Sequence, residues 1–155
     1  MNTGTRLAVA SLVVSAAALV GIASEEAYRG IAYQDDGGVW TLGFGETSGV
    51  KPGDRTTPER ALVQLLKSAG THADAIRQCI HVPLHQHEFD AYLSLAYNIG
   101  SGAFCRSTLV KKLNERQYAQ ACGEIRKWIY VSGKPSRGLI GRREREYRMC
   151  MGEKP

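Results

Sequence analysis

The chain has 155 residues, enough for one domain and too few for two of full size. Hydrophobic residues at 43% and charged residues at 23% are ordinary globular proportions, which excludes global disorder and collagen-like repetition. Twenty Lys and Arg against 15 Asp and Glu give +5, an excess that suits an anionic polymer or surface and is too small to indicate nucleic acid.

Residues 7–24, LAVASLVVSAAALVGIAS, form an 18-residue run without a charge. As one helix the run is about 27 Å long, close to the ~30 Å hydrocarbon core of a bilayer. Ala8, Ala10, Ser11, Ser15, Ala16, Ala17, Ala18, Gly21 and Ala23 add little transfer free energy, so a transmembrane helix here is weakly held. Arg6 precedes the run and Glu25 and Glu26 follow it, which orients the N-terminus to the cytoplasm and sends the rest outward. The expected division is a signal anchor over residues 1–24 and an exported domain over residues 25–155. A cleaved signal peptide, with small-residue sites at Ala16-x-Ala18 or Gly21-x-Ala23, and a buried helix of a soluble protein are the competing readings.

Residues 25–30 read as helix and residues 31–44 as strands around the turn Asp35-Asp36-Gly37-Gly38. After a polar loop, Thr57 and Pro58 read as an N-cap and first helical residue, with Ala61, Leu62, Leu65, Leu66 and Ala69 on one face. Phe89, Tyr92, Leu93, Ala96 and Ile99 mark another helix that Gly100 ends. Ser107 caps a helix through Leu113, residues 118–130 make a further one, and residues 132–136 are a polar loop before an Arg-rich helix over residues 138–151. One small hairpin followed by several helices is an α+β plan with helices dominant.

Glu26, Asp35 and Thr41 are the candidate chemistry. A turn at residues 35–38 brings Asp35 and Thr41 to one end of a hairpin, and the helical stretch with Glu26 feeds into it. Glycosidic hydrolysis needs one carboxyl as general acid and a second kept ionised, and a hydroxyl can hold water against the second. Spacing alone is a weak signal and favours a solvated Glu and a turn-forming Asp. Gly43 and Gly45 would let backbone approach a sugar closely. Cys79, Cys105, Cys122 and Cys150 allow two bridges in three connectivities. His81, His85 and His87 beside Glu88 suggest zinc at first sight, but Pro83 breaks their register and no HExxH pattern is present, so no metal or other cofactor is expected. Eight Lys and Arg between Arg126 and Arg148 read either as a surface attracting carboxylates or lipid headgroups or as a solvated helix face.

Glu26-x8-Asp35-x5-Thr41, set in EAYRGIAYQDDGGVWTLGFGET, resembles the Glu/Asp/Thr triad of phage-type lysozymes, glycoside hydrolase family 24. The similarity continues through PLHQHEFDAYLSLAYNIGSGAFCRSTLVKKLN, EIRKWIY and GLIGRREREYRMC. It implies a lysozyme-like fold, mainly helical, with one hairpin beside the catalytic helix. It also implies a monomeric muramidase that cleaves the β-1,4 bond between N-acetylmuramic acid and N-acetylglucosamine in peptidoglycan and lyses a host cell. Glu26 would then be the general acid, Asp35 would activate or orient water, and Thr41 would help to position it, with inversion at the anomeric carbon. The same resemblance puts Gly45, Tyr97 and Ser107 along the glycan and pairs Cys79 with Cys105 and Cys122 with Cys150, each bridge tying neighbouring elements. A lytic transglycosylase and a non-catalytic peptidoglycan-binding domain are the alternatives.

The weak N-terminal run resembles that of signal-arrest-release endolysins, which implies an inner-membrane anchor through residues 7–24, a periplasmic catalytic domain, and release on activation. Glu26 stands two residues beyond residue 24, so insertion would strand it at the headgroups, away from the hairpin. Relatives usually carry His where this chain has Glu46. A third carboxylate there either favours the protonated acid or merely removes a structural contact.

Overall fold

Ser15 opens the first helix: its backbone is extended and its hydroxyl accepts from the Ala18 amide at 3.0 Å, so α1 (Ala16–Glu25) starts just after it. The computed structural model describes residues 4–154. Residues 1–3, at the start of the expected anchor, and Pro155 lie outside the described part. Upstream of α1 a 3-10 turn (Val9–Ser11) ends at an extended Leu12. Residues 7–24 therefore do not form one continuous helix in this structure. No helix among the described residues is long and apolar enough to cross a membrane.

The run is instead folded onto the protein. Leu7 and Leu84 exchange backbone hydrogen bonds at 2.8 Å, Gln86 donates to the Val13 carbonyl at 2.8 Å, Arg77 donates to the Leu12 carbonyl at 2.6 Å, and the Ser15 hydroxyl donates to Asp90 at 2.7 Å. Leu12, Ala18 and Ile22 are buried in the core. The physical reason lies in the composition of the run. Of its larger apolar side chains, Leu12 and Ile22 leave water for the core, and small Ala18 is buried beside them.

Ala27, in a left-handed conformation (φ 36°), turns the chain out of the helix immediately after Glu26. The helix expected over residues 25–30 thus lies earlier, and β1 (Arg29–Gln34) begins there, antiparallel to β2 (Trp40–Gly43). A bulge lies between Arg29 and Tyr33, and Tyr33 pairs with Thr41. α2 (Pro58–Cys79) starts where the Thr57 hydroxyl accepts from the Arg60 amide. It buries Ala61, Leu65, Ala69, Ala73 and Ile76, while Leu62 and Leu66 stay exposed. The neighbours of α2 follow the four-residue row of mostly alanines, which is narrower than the face read from hydrophobicity alone.

α3 (Gln86–Ile99) is the central helix, packed against α1, α2, α4 (Ser101–Cys105) and α7 (Arg137–Cys150). Gly100, at φ 89°, separates α3 from α4. α5 (Thr108–Asn114) is capped by Ser107, and α6 (Tyr118–Glu124) gives way to a 3-10 turn (Ile125–Lys127) short of residue 130. β3 (Tyr130–Val131) and β4 (Lys134–Pro135) follow as a second hairpin where a loop was expected. Ser132 and Gly133, both at positive φ, make its two-residue turn. Disulfides join Cys79 to Cys105 and Cys122 to Cys150, tying α2 to α4 and α6 to α7.

Candidate active site

Glu26 caps the C-terminus of α1, its amide still bonded to the Ile22 carbonyl at 3.0 Å. The side chain meets a buried guanidinium: Arg142 Nη1 donates to Glu26 Oε1 at 2.8 Å. Arg142 also donates to Glu146 at 3.1 Å and to the Ser94 carbonyl at 3.4 Å. Glu146 in turn accepts from the Ser94 hydroxyl and from Arg143, each at 2.7 Å, and Arg143 reaches Asn98. Burial works against the charge on Arg142, but Glu26 and Glu146 outweigh it and hold the guanidinium above its ordinary pKa. The carboxylate at the end of α1 is thus oriented by a network spanning α3 and α7.

On its other side Glu26 lies beside the turn that carries Gly45. Gly45 sits at φ 84°, and a Cβ there would lie 3.0 Å from Glu26 Oε2, so only glycine fits. The turn carrying Gly45 is closed by paired backbone bonds between Leu42 and Glu46 at 2.8 and 2.9 Å. The Tyr97 hydroxyl donates to the Phe44 carbonyl at 3.2 Å. Burial, and then the charges of Glu26 and Glu46, push the Tyr97 phenol well above its ordinary pKa, so it keeps its proton. Glu46 is engaged by α2: its Oε2 accepts from Gln64 at 2.9 Å and Ser68 at 2.7 Å, and its Oε1 accepts from the Ser48 amide at 2.7 Å. Burial opposes that charge, but these donors and the Thr47 amide hold the carboxyl below its usual value.

Asp35 is placed by its own turn. Its Oδ1 accepts from the amides of Gly37 and Val39, both at 2.9 Å, while its backbone bonds Val39 and Gly38. Among the described residues its Oδ2 has no hydrogen-bond partner and the side chain is exposed. Thr41 is 4% exposed, and its hydroxyl donates to the Val39 carbonyl at 3.1 Å. Thr41 lies opposite Tyr33, two residues before Asp35, so alternation along the strand puts Asp35 and Thr41 on one face of the hairpin. Among the described residues no hydrogen bond joins Glu26 to either. The Ser107 hydroxyl is occupied as a helix cap, accepting from the Val110 amide at 3.4 Å and donating to the Phe104 carbonyl at 2.6 Å.

Sequence reading missed Arg142, Arg143, Glu146, Ser94 and Asn98. The signal was there: Arg142 and Arg143 stand four and three residues before Glu146, which puts all three on adjacent rows of one helix. Read as part of a basic surface, the run concealed two buried arginines.

A sequence model of the phage lysozyme family matches residues 23–146. The endolysin of Acyrthosiphon pisum secondary endosymbiont phage 1 is 42% identical over 137 residues, covering 86% of this chain and 94% of that one. The SAR-endolysin of Enterobacteria phage P21 is 34% identical over 152 residues, covering 96% of this chain and 89% of its own. The endolysin from Escherichia coli O157:H7 phage FAHEc1 superimposes with a TM-score of 0.85 at 32% identity, covering 94% and 98% of the two chains.

Proposed function

This chain belongs to the phage lysozyme family, and on that footing we propose that it hydrolyses the β-1,4 bond between N-acetylmuramic acid and N-acetylglucosamine in peptidoglycan, acting as a monomer to lyse a host cell. It is a glycoside hydrolase of the lysozyme type. The observation that carries the finer reading is the orientation of Glu26, bonded to buried Arg142 and lying beside Gly45 at the foot of the hairpin that bears Asp35. Glu26 donates a proton to the leaving glycosidic oxygen, and the unpartnered Oδ2 of Asp35 takes the proton of the attacking water. The Thr41 hydroxyl, on the same face, orients that water, and Gly45 and Tyr97 line the glycan. The test is clearing of a peptidoglycan suspension by wild type and Glu26→Gln, with product mass recorded. Added water in the product is expected, together with loss of clearing in the variant. An anhydro product would overturn hydrolysis, and a fully active variant would overturn the role of Glu26.

The chain divides functionally at residue 24. Residues 1–24 hold the newly made enzyme in the inner membrane with its N-terminus in the cytoplasm, and residues 25–155 await activation in the periplasm. The apolar run and the 34% identity to a SAR-endolysin along nearly the whole chain support this reading. The docked position of α1 is then the released, active state, since Glu26 caps that helix. Ala16 and Ala17 are exposed when α1 is docked, so Ala16→Leu with Ala17→Leu should raise membrane affinity without disturbing the docked fold. Fractionation should find this variant retained in the membrane with lysis delayed. Lysis on the normal schedule, or cleavage after Ala18 or Ala23, would overturn the release model.

A further inference from the structure

Behind the turn that faces Glu26 lies a cavity of about 50 Å³, bordered by Phe44, Glu46, Gln64 and Tyr97 among others. That is room for a few water molecules and no side chain. Gly43 is buried with no room for a Cβ beside Ala61, and Phe44 packs on Tyr28, leaving the turn beyond them to be held by other means. Two polar ties hold it: the Tyr97 hydroxyl on the Phe44 carbonyl, and the Glu46 carboxylate on Gln64 and Ser68 of α2. The second tie closes the turn, because Glu46 also pairs through its backbone with Leu42 and binds the Ser48 amide. Gln64, Ser68 and the Ser48 amide all donate to this carboxylate, so the position calls for an oxygen acceptor with more than one lone pair. Gly45, the residue before Glu46, is the one beside Glu26 Oε2, which occupies the space that a Cβ at position 45 would need.

We propose that Glu46 is a positioning residue for the acid: by anchoring the turn over residues 42–46 to Gln64 and Ser68, it keeps the Gly45 backbone against Glu26 and so fixes the direction in which the acid presents its proton. The inference rests on Glu26 being that acid. It accounts for a carboxylate beside the site that is engaged by α2 and does not itself contact Glu26.

The test compares Glu46→Ala and Glu46→Gln with wild type on soluble glycan fragments, measuring kcat, KM and the melting midpoint. Small misplacements at a reacting centre act on kcat, so Glu46→Ala should lose about tenfold in kcat with KM changed less than about twofold. Glu46→Gln retains an oxygen for the two α2 donors and should recover most of that loss. The double variant Gln64→Ala with Ser68→Ala removes the tie from the other side and should reproduce the kcat effect, even if Glu46→Ala fails to fold. Unchanged kcat in the double variant, or Glu46→Gln no better than Glu46→Ala, would overturn the proposal. Glu26→Gln measured alongside separates the two levels. Full activity there removes the catalytic reading itself, whereas an inactive Glu26→Gln beside a fully active double variant removes only the role of Glu46.

Discussion

The two carboxylates of the site are held in opposite ways. Asp35 is positioned by bonds that all fall within residues 35–39, made by the turn in which it sits. Glu26 is positioned by Arg142, 116 residues away, by the approach of Gly45, and by the docking of α1 on the core. A turn held by bonds among five consecutive residues depends little on distant parts of the chain, so the placement of Asp35 is insulated from distant change. The placement of Glu26 exists only when α1, α3, α7 and the hairpin are all assembled.

The largest expected effects fall on activity at both ends equally. Glu26→Gln and Asp35→Asn should each lower hydrolysis roughly 10²- to 10⁴-fold, the usual range for a lost general acid or base, in an assay on soluble glycan. A mild effect of Asp35→Asn would remove Asp35 from the reaction and leave the comparison one-sided.

Stability should then separate the two ends. Arg142→Ala leaves Glu26 and Glu146 facing each other without their shared cation, and breaking a buried pair of this kind costs about 3–5 kcal/mol, to be read from urea unfolding. Asp35→Ala releases two amides into water and should cost about 1 kcal/mol in the same experiment. Equal losses would erase the distinction between local and tertiary positioning. Gln86→Ala removes the bond to the Val13 carbonyl and should cost about 1 kcal/mol, appearing first as faster amide exchange in residues 7–24.

The smallest effect is one of pH. The Glu46 carboxyl lies below its ordinary 4.5, so its stabilising contribution is complete above that value and is lost as pH falls through the lowered one. The difference in melting midpoint between wild type and Glu46→Gln should shrink on acidification from pH 6 to below the usual carboxylate range. A difference that widened would show that Glu46 is not held as a carboxylate by Gln64 and Ser68.

Much of this molecule is legible in its residues because the chemistry concerned is local. Thr57 with Pro58, Ser107 and Gly100 mark helix ends through caps and backbone freedom that depend on a few neighbouring residues, and the turn over residues 35–38 is legible for the same reason. The order of the elements and the hairpin that carries Asp35 and Thr41 follow from such short-range signals. So does the apolar, uncharged character of residues 7–24. Packing, by contrast, settles that this segment splits at Ser15 and lies against α3, that α2 turns Leu62 and Leu66 outward, and that Arg142 and Arg143 are buried. Each of those outcomes turns on which surface happens to lie opposite. Hydrophobicity and charge along a chain say what a side chain can tolerate, and only the packed neighbour says what it meets.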